Sequence, residues 1–227
     1  MVKGHAMDHL SFRSMYWNYF EQLEDDFFSC TPYCEIDVDN DRSYSIKYLQ
    51  LLLSICSEID TICKVFCKEI DEKFDVNTCG IKEYMDILPK KYPTFSEEEI
   101  SLKGIQYRTI QPWKSIEKGY WWVAYNKVKH HRDSIENGKM NYKLANQKNV
   151  AASLAALYVL IEYWAAFHFA NNPQETQNHE MPIFRSARMN VRKWNFCESF
   201  MGQPPWFNTK RFLAYLMAAS DKPVQCS

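Results

Sequence analysis

The sequence predicts an all-α protein: a helical bundle over residues 8–170 with one short extended or hairpin insertion, followed by a helical extension over 171–227. Three observations predict it. Apolar residues recur at helical spacing through several long segments. Glycine is scarce, 6 of 227 residues, and no low-complexity linker divides the chain. A single segment, 100–110, carries the pattern of a strand. Apolar residues make up 46% and charged residues 24%, which excludes a disordered chain, and the length allows a full-sized core.

Phe12, Tyr16, Tyr19/Phe20, Leu23 and Phe27 mark an amphipathic helix from about Asp8 to Phe28. An acidic, turn-like stretch runs from Thr31-Pro32 to Asp41. Ser43 or Ser45 then caps a long helix to about Ile70, whose row of Ile46, Leu49, Leu53, Cys56, Cys63, Cys67 and Ile70 is broken by Asp60. Asp60 either sits at the edge of that row in water or is a buried carboxylate needing a partner. Gly80 to Lys91 reads as a shorter helix stopped by Tyr92-Pro93, Glu97–Glu99 as a solvated cap or loop, and Ile100–Ile110 as a small hairpin ended by Pro112-Trp113. A helix from about Ile116 to His131, a turn at Asn137-Gly138 and a long helix from Tyr142 to Ala170 complete the bundle.

Within the last helix, Val150–Ala170 holds one formal charge, Glu162. As a membrane span it would put Glu162 in hydrocarbon at a cost of ~2.5 kcal/mol or more. Ala151, Ala152, Ala155 and Ala156 suit close helix approach instead, so a core helix and no membrane are expected. Residues 173–183 read as a loop. Arg185, Arg188 and Arg192, at i, i+3 and i+7, share one face of an expected helix. Pro204-Pro205 precedes a short final helix, Thr209 to Ala219.

The net charge of −1 conceals two halves: residues 1–100 hold 10 Lys+Arg against 20 Asp+Glu, and residues 101–227 hold 17 against 8. The near-neutral sum therefore does not exclude a polyanion partner. Met1–Leu10 carries Lys3, His5, Asp8 and His9 and no apolar run of the signal-peptide kind. Cys56, Cys63 and Cys67 follow helical spacing among aliphatic residues, so the expectation is free buried thiols in a reducing cytoplasm. Cys30-x3-Cys34 lacks a nearby Cys/His pair to complete a zinc site, and no metal or cofactor is expected.

No phosphate-binding glycine loop, GxSxG or HExxH occurs. The dense polar cluster is Tyr120–Arg132. On a helix Asn126 and His130 are i and i+4, so the amide can orient the imidazole. Lys127, Lys129 and Arg132 surround that face. A histidine so placed can serve phosphodiester chemistry as a general acid or base; the cluster is equally that of a helix C-terminus whose cations complement the macrodipole. His131 points about 100° away from His130, which argues against a two-histidine metal site.

Tyr125-Asn126-Lys127-Val128-Lys129-His130 resembles the RNxxxH form of the motif of the HEPN superfamily, helical domains found in RNases, toxins and antiviral defence proteins. Ser57–Asp60, Pro112-Trp113, Trp121-Trp122 and Ala145–Asn149 before the Ala/Leu-rich helix are similar in order, over about residues 8–170. The resemblance implies a metal-independent endoribonuclease of toxin or phage-defence type, built as a homodimer, with His130 in proton transfer, Asn126 orienting it, and Asp60 positioning a side chain of the cluster. Lys127, Lys129, Arg132 and the Arg185/Arg188/Arg192 face would contact RNA. The family motif begins with Arg, where this chain has Tyr125, which offers neither fixed charge nor a bidentate fork. Losing such a clamp costs on the order of 3 kcal/mol in a transition state. The alternative is an inactive HEPN-like dimer that binds RNA or a protein partner such as an antitoxin.

Overall fold

The computed structural model describes residues 7–102, 109–114, 121–175, 184 and 186–193. It is mainly helical. Asp8 caps the first helix by accepting from the Ser11 amide at 2.7 Å. α1 (His9–Phe12) continues through a π-helical turn, Arg13–Trp17, into α2 (Asn18–Phe28). That wider turn changes the face the sequence predicts. Regular 3.6-residue spacing brings Tyr16 and Tyr19 inward with Phe12. The inserted residue adds Trp17 to the buried Phe12, Phe20, Leu23 and Phe27 of the expected row, keeps Tyr16 packed against Phe12 and Trp164, and leaves Tyr19 39% exposed.

Ser45 caps α3 (Ile46–Ile70), accepting from the Tyr48 amide. The apolar row predicted for this helix needs correction. Ile46 is exposed, and the centre of the buried side runs through Leu52, Ile55, Ile59, Ile62 and Phe66. The other helices explain it: α3 touches α2, α4, α5 and α6, so more than one stripe is covered. Cys56, Cys63 and Cys67 are buried free thiols. α4 (Ile81–Lys91) is held at its start by the Gly80 amide donating to Glu83 at 2.8 Å.

β1 (Glu99–Leu102) lies between β2 (Thr109–Ile110) and β5 (Met189–Lys193), antiparallel to both. The two strands of the hairpin expected over 100–110 are therefore paired, but within the helix expected across Arg185–Arg192 the described residues make a bend at Ala187–Arg188 and then strand β5 from Met189. Its helical period came from arginines alone and supplied no apolar face to bury. The edge of β1 offers a backbone ladder, and Met189 is buried beside it. Glu97–Glu99 is also not a solvated run: Glu98 is buried and accepts from the Tyr163 hydroxyl at 2.6 Å, and Glu99 accepts from Gln111 in the sheet.

α5 (Trp121–His130) is followed by a two-stranded hairpin, β3 (Ile135–Glu136) and β4 (Lys139–Met140). Asn137 and Gly138 have φ of 50° and 74°, the left-handed pair a tight two-residue hairpin requires. A 3-10 turn, Asn141–Leu144, leads to α6 (Gln147–Asn171). α6 starts five residues later than Tyr142 because Asn146 caps it, accepting from the Asn149 amide at 3.1 Å. By length and composition α6 could cross a bilayer, but 94% of its most apolar window is buried inside the bundle. Ala151, Ala152, Ala155 and Ala156 are buried along it, and the Trp113 indole reaches in to donate to the Ala156 carbonyl at 3.1 Å. Residues 116–120 of the expected α5, most of the loop over 173–183, Arg185, Pro204-Pro205 and the final helix over 209–219 lie outside the described residues.

Candidate functional site

α5 divides its residues between bundle and solvent. Trp121, Trp122, Ala124, Tyr125 and Val128 are buried, and Trp121 is anchored by its indole donating to the Pro112 carbonyl at 2.8 Å. The opposite side presents Asn126, half-buried, with Lys129 and His130 exposed. Asn126 and His130 thus share a helix face as their spacing requires. Among the described residues no hydrogen bond joins their side chains. His130 and His131 diverge, with ring centroids 6.4 Å apart.

Tyr125 is a packing residue. It is 5% exposed, its ring lies 5.2 Å from Trp122, and the Lys129 ammonium sits 5.3 Å over its face. The other cations of the cluster are also engaged. Lys127 forms an ion pair with Glu136 of β3, and this pair, with a further bond from Asn141, holds the Glu136 carboxyl below its ordinary range. The Arg132 Nε donates at 3.4 Å to the Val128 carbonyl, closing the C-terminal turn of α5, and Asn141 donates to the His131 carbonyl at 2.9 Å. The cluster is a finished helix terminus with an exposed histidine beside it.

Asp60 is at once at the edge of the apolar row and partnered. Its side chain is 31% exposed; it accepts from Lys64 at 2.6 Å and from the Tyr84 hydroxyl at 2.7 Å. The Tyr84 bond ties α3 to α4, while the Lys64 bond lies within α3, on the side from which Lys64 interacts with Tyr125 of α5. They also explain the raised Lys64, stabilised as the cation first by the Asp60 bond. The Tyr84 hydroxyl is pushed up by burial and by its bonds to Cys79 and Asp60. Arg188 is likewise elsewhere: it pairs with Asp25 and lies 5.0 Å over the Phe28 ring, docking on α2. Arg192 falls at the register shift where β5 passes Glu99 and Ile100. Arg188 therefore faces α2 and not α5.

The structure adds a site that sequence motifs do not signal. A cavity of about 580 Å³ opens between the segment around Arg42 and Tyr44, the β3–β4 hairpin and the Asn141–Asn146 turn, with Lys127 of α5 on its wall. Arg42, Lys127, Lys139 and Lys143 line it against one carboxylate, Glu136. The turn Asn137-Gly138 was legible in the sequence, and the lysines follow it closely. Nothing local announces that Arg42 and Tyr44 join them. Tertiary contacts do so: Tyr44 bridges to Asn146, the Gln147 amide donates to the Ser43 carbonyl at 2.9 Å, and the buried Gln147 side chain bonds Glu35 and Asp37.

Among the described residues no three His, Cys, Asp or Glu side chains converge as a metal site would need. No family model, curated protein or solved structure matches this chain.

Proposed function

We propose that this chain is an HEPN-like, RNA-directed helical module that binds RNA without cleaving it. The observation that carries this is the surroundings of position 125. Where the motif calls for arginine, a tyrosine is packed into the bundle against Trp122, and Lys127 is committed to an ion pair with Glu136. His130 and Lys129 remain exposed on the outer side of α5, open to a polyanion but lacking a fixed cation to clamp a scissile phosphate. Fluorescence anisotropy with a labelled RNA across a salt series tests it. Affinity should fall as salt rises, and Lys129→Ala should reduce the slope by about one counterion. A slope near zero overturns RNA binding.

A second reading is favoured by one observation: Asn126 and His130 face outward, where a second copy of the chain can supply a residue to them. In that case a homodimer is the metal-independent endoribonuclease. Cleavage of RNA in EDTA that His130→Ala abolishes selects this reading over the first. Both readings place the protein in the cytoplasm as a homodimer, with room for a protein partner such as an antitoxin.

A further inference from the structure

We propose that Cys30 and Cys34 form a dithiol site that reacts with low-molecular-weight disulfides and closes a reversible Cys30–Cys34 bond. Both residues are half-buried and lie just past the end of α2, in a turn where the Cys30 carbonyl accepts from the amides of Tyr33 and Cys34, each at 3.0 Å. A turn closed between residues i and i+4 sets the two Cα atoms about 6 Å apart, inside the range that a disulfide spans. The thiols also face a common group. The Tyr48 hydroxyl, on a residue 3% exposed, bonds Cys34 and lies within electrostatic reach of Cys30, and the two thiols interact with each other. The other described cysteines are placed differently. Cys63 and Cys67 share the i, i+4 spacing but sit inside α3, where burial pushes Cys67 up to about 12 and raises Cys56 and Cys63 well above the ordinary range. Cys79 lies on the α4 side of the bundle, 3.4 Å from the Tyr84 hydroxyl.

The two thiols have different surroundings, and these set the order of reaction. The buried Gln147 amide donates to Cys34 Sγ at 3.5 Å, held in place by its further bond to the Glu35 carbonyl at 2.8 Å. A donor aimed at sulfur favours the thiolate, which is the attacking form. Cys30 instead donates to the Asp26 carbonyl at 3.6 Å, and burial raises its thiol, with the Lys47 ammonium opposing only in part. Cys34 therefore attacks first. Its thiolate forms a bond to one sulfur of the small disulfide, the bond between that disulfide's sulfurs breaks, and the released thiolate takes up a proton. Cys30, losing its own proton, then attacks the Cys34 sulfur of the mixed disulfide, closes the Cys30–Cys34 bond and expels the second small thiol. The protein dithiol gives up two electrons and two protons, and the small disulfide is reduced to two thiols.

The site rests on no residue of α5 and does not depend on RNA binding. The full chain, fully reduced and then held in glutathione buffers of graded thiol-to-disulfide ratio, tests it by alkylation and peptide mass mapping. Trypsin releases both cysteines on one peptide, between Arg13 and Arg42. As glutathione disulfide increases, that peptide should lose two hydrogens in mass and both of its alkylation sites together, and dithiothreitol should restore them. Cys56, Cys63 and Cys67 should stay reduced throughout. Cys30→Ser should trap a stable glutathione adduct on Cys34. Cys34→Ser should leave Cys30 at least about tenfold slower to take up glutathione than Cys34 is in Cys30→Ser. Circular dichroism checks that both variants are folded, and the wild-type mapping decides alone if either is not. The proposal is overturned if Cys30 and Cys34 stay open to alkylation across the whole series, or if either is found bonded to another cysteine. Equal glutathione uptake by the two folded variants overturns the order of attack.

Discussion

Helices α5 and α6 lie against each other and meet opposite demands. α6 is covered along nearly its whole length, so its apolar composition is explained by the neighbours that surround it. α5 is covered on one side, and its polar side ends in a cluster whose meaning depends on what stands opposite. Burial is a collective property of many residues and tolerates a misplaced boundary. A binding cluster depends on where a few side chains point, and a partner nine residues away, as Glu136 is from Lys127, changes it entirely.

The largest test of that contrast is at Trp164 on α6. Its ring lies 4.9 Å from Phe12 and 4.7 Å from Tyr16, joining α6 to the N-terminal helices. Trp164→Ala should cost about 4 kcal/mol in denaturant unfolding. A loss below 1 kcal/mol would mean that α6 is not the centre of the bundle. Next is Tyr125 on α5. Tyr125→Arg restores the family motif but puts a charge at a site 5% exposed, with Lys129 at hand. We expect a loss of about 3 kcal/mol and no gain of RNA cleavage in EDTA. An arginine accepted without loss, together with new cleavage, would make α5 an impaired active site rather than a packing element with a wet side.

The smallest effect is one of pH, on α6. His168 is buried, with one ring nitrogen 3.2 Å from both Glu69 oxygens and the other 2.9 Å from the Met7 carbonyl. Burial alone would lower its pKa. The Glu69 bond and charge and the Met7 carbonyl outweigh that and raise it, since a ring with acceptors at both nitrogens is best satisfied as the two-donor cation. A raised folded pKa means that this stabilisation is fully present below about pH 6.5, the unfolded value, and is lost as pH rises through the folded value. His168→Gln should cost about 2 kcal/mol at pH 5.5 and less at pH 9. A cost that does not change with pH would mean the ring is neutral throughout.

The fold was legible wherever many residues voted together. The extents of the N-terminal helix, α3, α4 and the 100–110 hairpin could be read from spacing and caps, and α6 could be assigned to the core despite its membrane-like composition. Three features were not legible. The π-helical turn at Arg13–Trp17 shifts a face by one residue without a sequence signature. The buried side of α3 follows from how many helices surround it. β5 takes a strand because β1 has an edge to pair with, while its arginines imitate helical spacing. At the site, the sequence placed Asn126 and His130 on one face and Tyr125 at +4 from Trp121. It did not foresee that Lys127 would pair with Glu136, that Asp60 would serve Tyr84 and Lys64, or that Arg188 would dock on α2.

What the sequence alone determined is therefore the inventory and its local order: a mainly helical chain, free thiols on helical spacing, a left-handed Asn-Gly turn, and a basic second half behind an acidic first. These are set by short-range sterics and by periodic burial, which act over a few residues. Tertiary structure alone decided which charges meet. Ion pairs and cavities depend on approach between segments distant in the chain, so it took the contact of Tyr44 with Asn146 to gather Arg42 with Lys127, Lys139 and Lys143 into one basic pocket.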